Sequence, residues 1–228
     1  MAQSMTRRQA LAATACSATA LASEPLVTRQ NTSANRTVVV GVMGLKRGLE
    51  LAKTFASQPG VVVKYLCDVD SQRAASACEA IHRESKLQPE SITDFRRILD
   101  DPQVDALVCA APNHWHAPAT ILACASGKHV YVEKPCSHNP WEGEKMIEAA
   151  RKHDRLVQIG TQRRSDPYLQ QAIARLREGV IGRVYSSQSW YNNRRTSIGI
   201  GKQDNPPAYL DYELWQGPAP RVPYSDNR

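Results

Sequence analysis

The chain has 228 residues, 42% hydrophobic and 22% charged, which supplies one full core and part of another and is too apolar for a disordered chain. Its formal net charge of +7 falls to +5 without Arg7 and Arg8 of the N-terminal leader. The other basic residues are scattered apart from Arg163-Arg164 and Arg194-Arg195, and none form a stripe interleaved with aromatics, which argues against nucleic acid as a partner.

The leader reads "MTRRQALAATACSATALAS". Two arginines precede a weakly apolar, alanine-rich run and a small-residue cleavage site at Ala20-Leu21-Ala22, the layout of an export signal. The run is well short of the roughly 20 apolar residues that span a bilayer, so no stable membrane insertion is expected. The Thr6-Arg7-Arg8-x-x-Leu11 order resembles a twin-arginine signal, the route for proteins that fold before export, and it predicts a periplasmic or exported protein. Residues 1–22 are read as the signal peptide and the polar, aperiodic stretch 23–36 as a linker. Cys16 leaves with the leader, and the odd number of cysteines remaining argues against a disulfide framework. Cys67 and Cys109 end apolar runs and read as small buried hydrophobes.

From residue 37 strands and helices alternate. "TVVVGVM" (37–43) and "VVVKYLC" (61–67) are β-branched runs, hence buried strands. Helical spacing covers 48–57 and 71–85; a strand is expected at 104–112, a helix at 116–126 and a strand at "HVYVEKP" (129–135). Asn139 caps a helix with Pro140 at its first position and Glu142 placed for a capping box. Another strand is expected at 155–162, then a helix opened by Asp166-Pro167 and a strand-like 182–191; from 192 onward no helix or strand is expected. Apolar strands alternating with helices mean a parallel sheet covered on both faces. The fold class is therefore α/β: a doubly wound (Rossmann) nucleotide-binding domain over 37–160, then the incomplete start of an α+β substrate domain over 161–228.

Chemistry-bearing residues gather where such strands end. After the first strand, Gly44 can make the tight turn of a dinucleotide loop, but Lys46 stands where the middle glycine belongs and Gly48 falls one residue before the usual third. Asp68 ends the second strand, near the spacing of a ribose-binding acid, and would repel a 2′-phosphate; it could alternatively cap the following helix. Lys46 and Arg47 could meet phosphate oxygens and admit NADP as well as NAD. Pro112, Asn113 and His116 follow the next strand and are expected over the cofactor, although His116 is also read as a polar helix-terminal residue. His114 and His116, at i and i+2 without a carboxylate, are a poor zinc set, so no metal is expected. Glu133 and Lys134 end the adjacent strand. An ammonium there can bind the nicotinamide ribose and a substrate hydroxyl, and Pro135 fixes the turn that aims it.

"NHWHAPATILACASGKHVYVEKP", with "QIGTQRRSDP" and "REGVIGRVYS", resembles the Gfo/Idh/MocA oxidoreductases, most of all their exported, leader-bearing members. The resemblance implies NAD or NADP in the first domain, a large open-faced sheet in the second, and hydride exchange with a sugar or cyclitol carbon. It implies Gly44 and Asp68 for the cofactor, Asn113 and His116 on the nicotinamide side, Glu133 and Lys134 at the reaction centre, and Gln162 at the domain junction. Family members carry a general acid/base histidine in the second domain. No histidine follows His153 here, so the chain is expected to be C-terminally truncated. A homo-oligomer through the second domain fits the same resemblance. Two other readings stand beside the dehydrogenase: an NAD-dependent glycosidase on the same scaffold, and a non-catalytic nucleotide- or sugar-binding protein.

Overall fold

Six apolar runs pair into one parallel sheet. In the computed structural model, which describes residues 37–192 and 195–227, the strands are β1 (Val38–Met43), β2 (Val61–Cys67), β3 (Glu90–Ile92), β4 (Ala106–Cys109), β5 (His129–Glu133) and β6 (Val157–Gly160). The leader, the linker, Asn193, Arg194 and Arg228 lie outside the described residues. The sheet order β3-β2-β1-β4-β5-β6 is that of a doubly wound nucleotide fold. The order reverses between β2 and β4, on either side of β1, where such folds open a ligand crevice.

Alternation along each strand sends side chains to two cores. Val40 and Val42 of β1, Val63 and Leu66 of β2 and Val108 of β4 pack on one face, against α1 (Leu45–Ala56) and α2 (Ser71–Ser85). Met43, Tyr65, Cys67, Leu107 and Cys109 point to the other face. There they meet α3 (Arg96–Asp100), α4 (Asn113–Ala125) and α5 (Pro140–Lys152). Burial of both faces is why these strands carry few polar residues. It also silences two thiols: burial raises Cys109 to about 12 and pushes Cys67 higher still, too far for a thiolate nucleophile.

Most elements match their sequence signals, and the helix caps show why. Asn139 accepts a hydrogen bond from Glu142 N at 3.0 Å, while the Glu142 carboxylate accepts from His138 N at 2.7 Å, so the reciprocal bond lands one residue before the capping box expected. Asp166 caps α6 (Pro167–Arg177) through Tyr168 N at 2.9 Å. β3 and α3 had no sequence signal: Glu90 and Ser91 are exposed, and only pairing with Tyr65, Leu66 and Cys67 makes 90–92 a strand. The strand expected at 182–191 does not form among the described residues, because the stretch is exposed and pairs with no neighbouring strand. Where no element was expected, α7 (Tyr212–Gln216) appears, capped by Asp211, which accepts from Leu214 N at 2.8 Å. Five residues are too few for a periodic signal.

The amino end of the sheet is tied by Asp101. Its carboxylate meets Lys64 Nζ at 2.5 Å and accepts from Tyr65 OH at 2.9 Å and Gln103 N at 2.9 Å; its carbonyl accepts from the buried Lys128 Nζ at 2.6 Å. Lys128 is thus structural, at the opposite end of β5 from Lys134. The Lys64 hydrogen bond, supported by Gln103 N and Tyr65 OH, holds Asp101 down at about 2. A depressed carboxylate stabilises the fold above its unfolded value of 3.8, and that contribution is lost as pH falls through about 2. Asp101→Asn is expected to destabilise the protein by about 1 kcal/mol at pH 7, allowing for solvent screening. In urea unfolding at several pH values, the difference from the parent should shrink steadily between about pH 4 and pH 2. A constant difference across that range would contradict the assignment.

Candidate functional site

The strands end level with one another. Met43 pairs with Cys67 and with Cys109, Cys109 with Val132, and Glu133 with Gly160. The loops after β1, β2, β4, β5 and β6 therefore share one edge of the sheet, the edge where parallel sheets bind ligands.

Gly44 has φ +84°, and a Cβ on it would stand 2.5 Å from Ala111 N and 2.6 Å from Ala111 Cα. Only glycine lets the β1 turn pass so close to the β4 loop. A Cβ on Gly48 would lie 3.0 Å from Val42 Cγ1 and 3.4 Å from Ala110 Cβ, so Gly48 does the work of a packing glycine despite its one-residue offset. Lys46 and Arg47 are exposed on the first turn of α1, whose backbone N–H groups lack intrahelical partners and suit an anion.

Asp68, 6% exposed, closes the other side of the turn. Its Oδ2 accepts from Leu45 N at 2.7 Å; its Oδ1 accepts from Asp70 N at 3.0 Å and from Arg73 Nη1 at 3.1 Å. The N-cap of α2 is Asp70, which accepts from Arg73 N at 2.9 Å, so Asp68 is free of that duty. Its carboxylate instead ties the glycine turn to the start of α2, where a ribose would sit.

Pro112 and Asn113 open α4, both exposed at the end of β4. His114 and Trp115 are half-buried beside α7 instead: His114 Nε2 lies 2.9 Å from Trp215 O, and Trp115 Nε1 donates to Leu214 O at 3.1 Å. His116 is 1% exposed, with Nε2 2.8 Å from Ala111 O and Nδ1 2.5 Å from Pro135 O. The ring joins the loops after β4 and β5 from beneath, so its effect at the crevice passes through their backbones.

Glu133 is buried, and its Oε1 meets Arg47 Nε at 3.3 Å while its Oε2 accepts from Lys134 N at 3.2 Å. Lys134 is exposed at the same edge, before Pro135. Gln162 is exposed just past β6, its N–H donating to Gly160 O at 3.1 Å. Two contacts carry no sequence signal. Arg47, a phosphate candidate from sequence, also meets Glu133 across 86 residues of chain. Arg73 follows the N-cap Asp70 by three residues, on a helix whose polar face gave no signal.

A doubly wound sheet with a glycine turn and an acid at the end of β2 defines a dinucleotide-binding domain. Residues 35–161 match the Gfo/Idh/MocA family model, described as an oxidoreductase family with an NAD-binding Rossmann fold, over more than half the chain. The protein belongs to this family. It is similar to the levoglucosan dehydrogenase of Pseudarthrobacter phenanthrenivorans, 30% identical over 66% of this chain and 38% of that protein. The inositol 2-dehydrogenase of Salmonella typhimurium is 31% identical over 70% of this chain and 46% of its own length. Among solved structures, the 3-ketoreductase KijD10 from Actinomadura kijaniata, in complex with NADP, has a TM-score of 0.58 and 26% identity over 64% of this chain and 46% of that one. The chain thus spans less than half the length of each of these proteins.

The residues present fit a nicotinamide dinucleotide: the Gly44 cradle that a Cβ would fill, the first turn of α1 for the pyrophosphate, and Asp68 at the ribose position. Gly44→Ala is expected to destabilise the fold by about 1–3 kcal/mol, the cost of a side chain at this φ together with the contact on Ala111. Calorimetry should also show NAD affinity falling at least about tenfold. An alanine variant with parent stability and parent NAD affinity would show that the turn is not the cofactor cradle.

Proposed function

We propose that the protein is an NAD(P)-dependent oxidoreductase that moves a hydride between the nicotinamide and a hydroxyl-bearing carbon of a sugar or cyclitol. The observation that carries this reading is Lys134, exposed at the end of β5 on the same edge as Gly44 and Asp68. The sugar and cyclitol class is supported by the names of the similar levoglucosan and inositol dehydrogenases.

The bound nicotinamide would supply or accept the hydride. Lys134 would donate a hydrogen bond to the substrate hydroxyl oxygen and stabilise the negative charge that grows there as the alcohol proton passes to a general base, the role that the family resemblance gives to a second-domain histidine. Glu133, held by Arg47 and bonded to the Lys134 backbone, fixes where that side chain starts. Asn113 and Pro112 form the neighbouring wall, steadied from below by His116. Gln162 borders the crevice on the β6 side.

Lys134→Ala is expected to lower NADH formation from a reactive sugar or cyclitol by about 10²–10³-fold, the usual loss on removing one donor to a developing oxyanion. NAD affinity, measured separately by calorimetry, should move less than about threefold. Turnover at the parent rate in Lys134→Ala would remove the lysine from the reaction. Loss of NAD binding with no separate effect on turnover would make it a cofactor ligand only.

The twin-arginine leader supports export of the folded protein. In a bacterium with that pathway, the mature chain should appear in the periplasm beginning near Ser23, and the double replacement Arg7→Lys, Arg8→Lys should retain it inside. Unchanged export of the double variant would discard this route.

A further inference from the structure

The chain returns to the cofactor domain after β6, and where it lands bears on cofactor choice. Residues 209–211 lie against the β2–α2 junction. Tyr209 O accepts from Ser71 N at 2.9 Å and from Ser71 Oγ at 3.2 Å; Leu210 forms an antiparallel bridge with Asp70; Asp211 N donates to Val69 O at 2.9 Å. α7 then packs by Trp215 beside His114, and Trp115 Nε1 donates to Leu214 O at 3.1 Å. This strap is fastened directly next to Asp68, where the fold places the adenosine ribose.

We propose that Tyr209–Asp211 is a specificity element of the cofactor site, closing the β2 end against the 2′-phosphate of NADP. The inference rests on the cofactor reading above and adds to the repulsion expected from Asp68. A 2′-phosphate needs donors, and the start of a helix normally offers them. Here the Ser71 N–H and hydroxyl are turned to the Tyr209 carbonyl, and the Arg73 N–H is held by Asp70. The nearby guanidinium that could receive a phosphate is divided between Asp68 at 3.1 Å and Asp70 at 3.2 Å. The space therefore presents one carbonyl and two carboxylates around a single shared cation. A phosphate carrying nearly two negative charges would have to break the Ser71 bonds and draw Arg73 away from both acids. The diol of NAD carries no such charge and can share hydrogen bonds with Asp68.

Asp211 allows the strap to be tested apart from the acids. Its φ of −76° is one proline adopts, so Asp211→Pro removes the N–H to Val69 at little backbone cost. Asp211→Ala removes the same α7 cap and keeps the N–H. Both are combined with Asp70→Ser, which takes away one repelling charge and leaves a capping side chain on α2. The readout is the ratio of NADP to NAD dissociation constants by calorimetry. Asp70→Ser alone, and with Asp211→Ala, should leave the ratio within about threefold of the parent; Asp70→Ser with Asp211→Pro should lower it by about tenfold or more. The strap is overturned as a determinant if Asp70→Ser alone brings NADP to parity with NAD. Equal ratios in the proline and alanine combinations overturn it too. If the proline variant does not fold, Leu210→Gly, which loosens the same bridge, takes its place under the same criteria. A parent that binds neither dinucleotide would overturn the cofactor reading itself, a result distinct from an unchanged ratio.

Discussion

The structure depends on one close approach. Backbone meets backbone where the turn after β1 passes the loop after β4, with Gly44 against Ala110 and Ala111. No side chain fits between them. That contact sets the spacing of the two strands at the point where sheet order reverses. It starts α1 at the mouth of the crevice, with Leu45 N held by Asp68 and the N–H groups of Lys46 and Arg47 lacking intrahelical partners.

Charge around this cradle is managed by local pairing. Asp68 and Glu133 are both buried carboxylates, which would be costly unpaired. Asp68 is satisfied by two backbone N–H groups and Arg73, Glu133 by Arg47 and its neighbour's N–H. In both cases the arginine is about half exposed, so most of its hydration is kept and the pair avoids the full desolvation penalty of a buried salt bridge. The acids thereby hold loops in place while remaining close to the crevice. Lys134 carries no such duty and stays exposed beside them.

The opposite edge has a different task. Asp101, Lys64, Tyr65 and Lys128 lock the middle of β2 and the amino end of β5 to the end of α3. Two lysines within seven residues of β5 thus serve opposite ends of one strand, Lys128 as a buried anchor and Lys134 as an exposed cation. A rigid base and a set of loops at the far end is the usual division of labour in such folds. It lets the loops vary without loss of the core.

The sequence by itself determined the parallel nucleotide fold. β-branched runs such as 61–67, and helices with explicit caps such as those of Asn139 and Asp166, act over a few residues, and local patterns report them faithfully. It also supplied the residues that line the crevice, because the ends of parallel strands must share one edge. What it could not supply were contacts between distant segments. β3 is a strand only because β2 offers it a partner, and α7 is a helix of five residues that acquires meaning by docking on His114 and Trp115. The second contact of Arg47, the engagement of both Asp68 oxygens and the burial of His116 between two loops likewise join residues that are far apart in the chain or lie on separate elements. Hydrogen-bond partners and burial belong to the packed chain, and only the tertiary structure decided them.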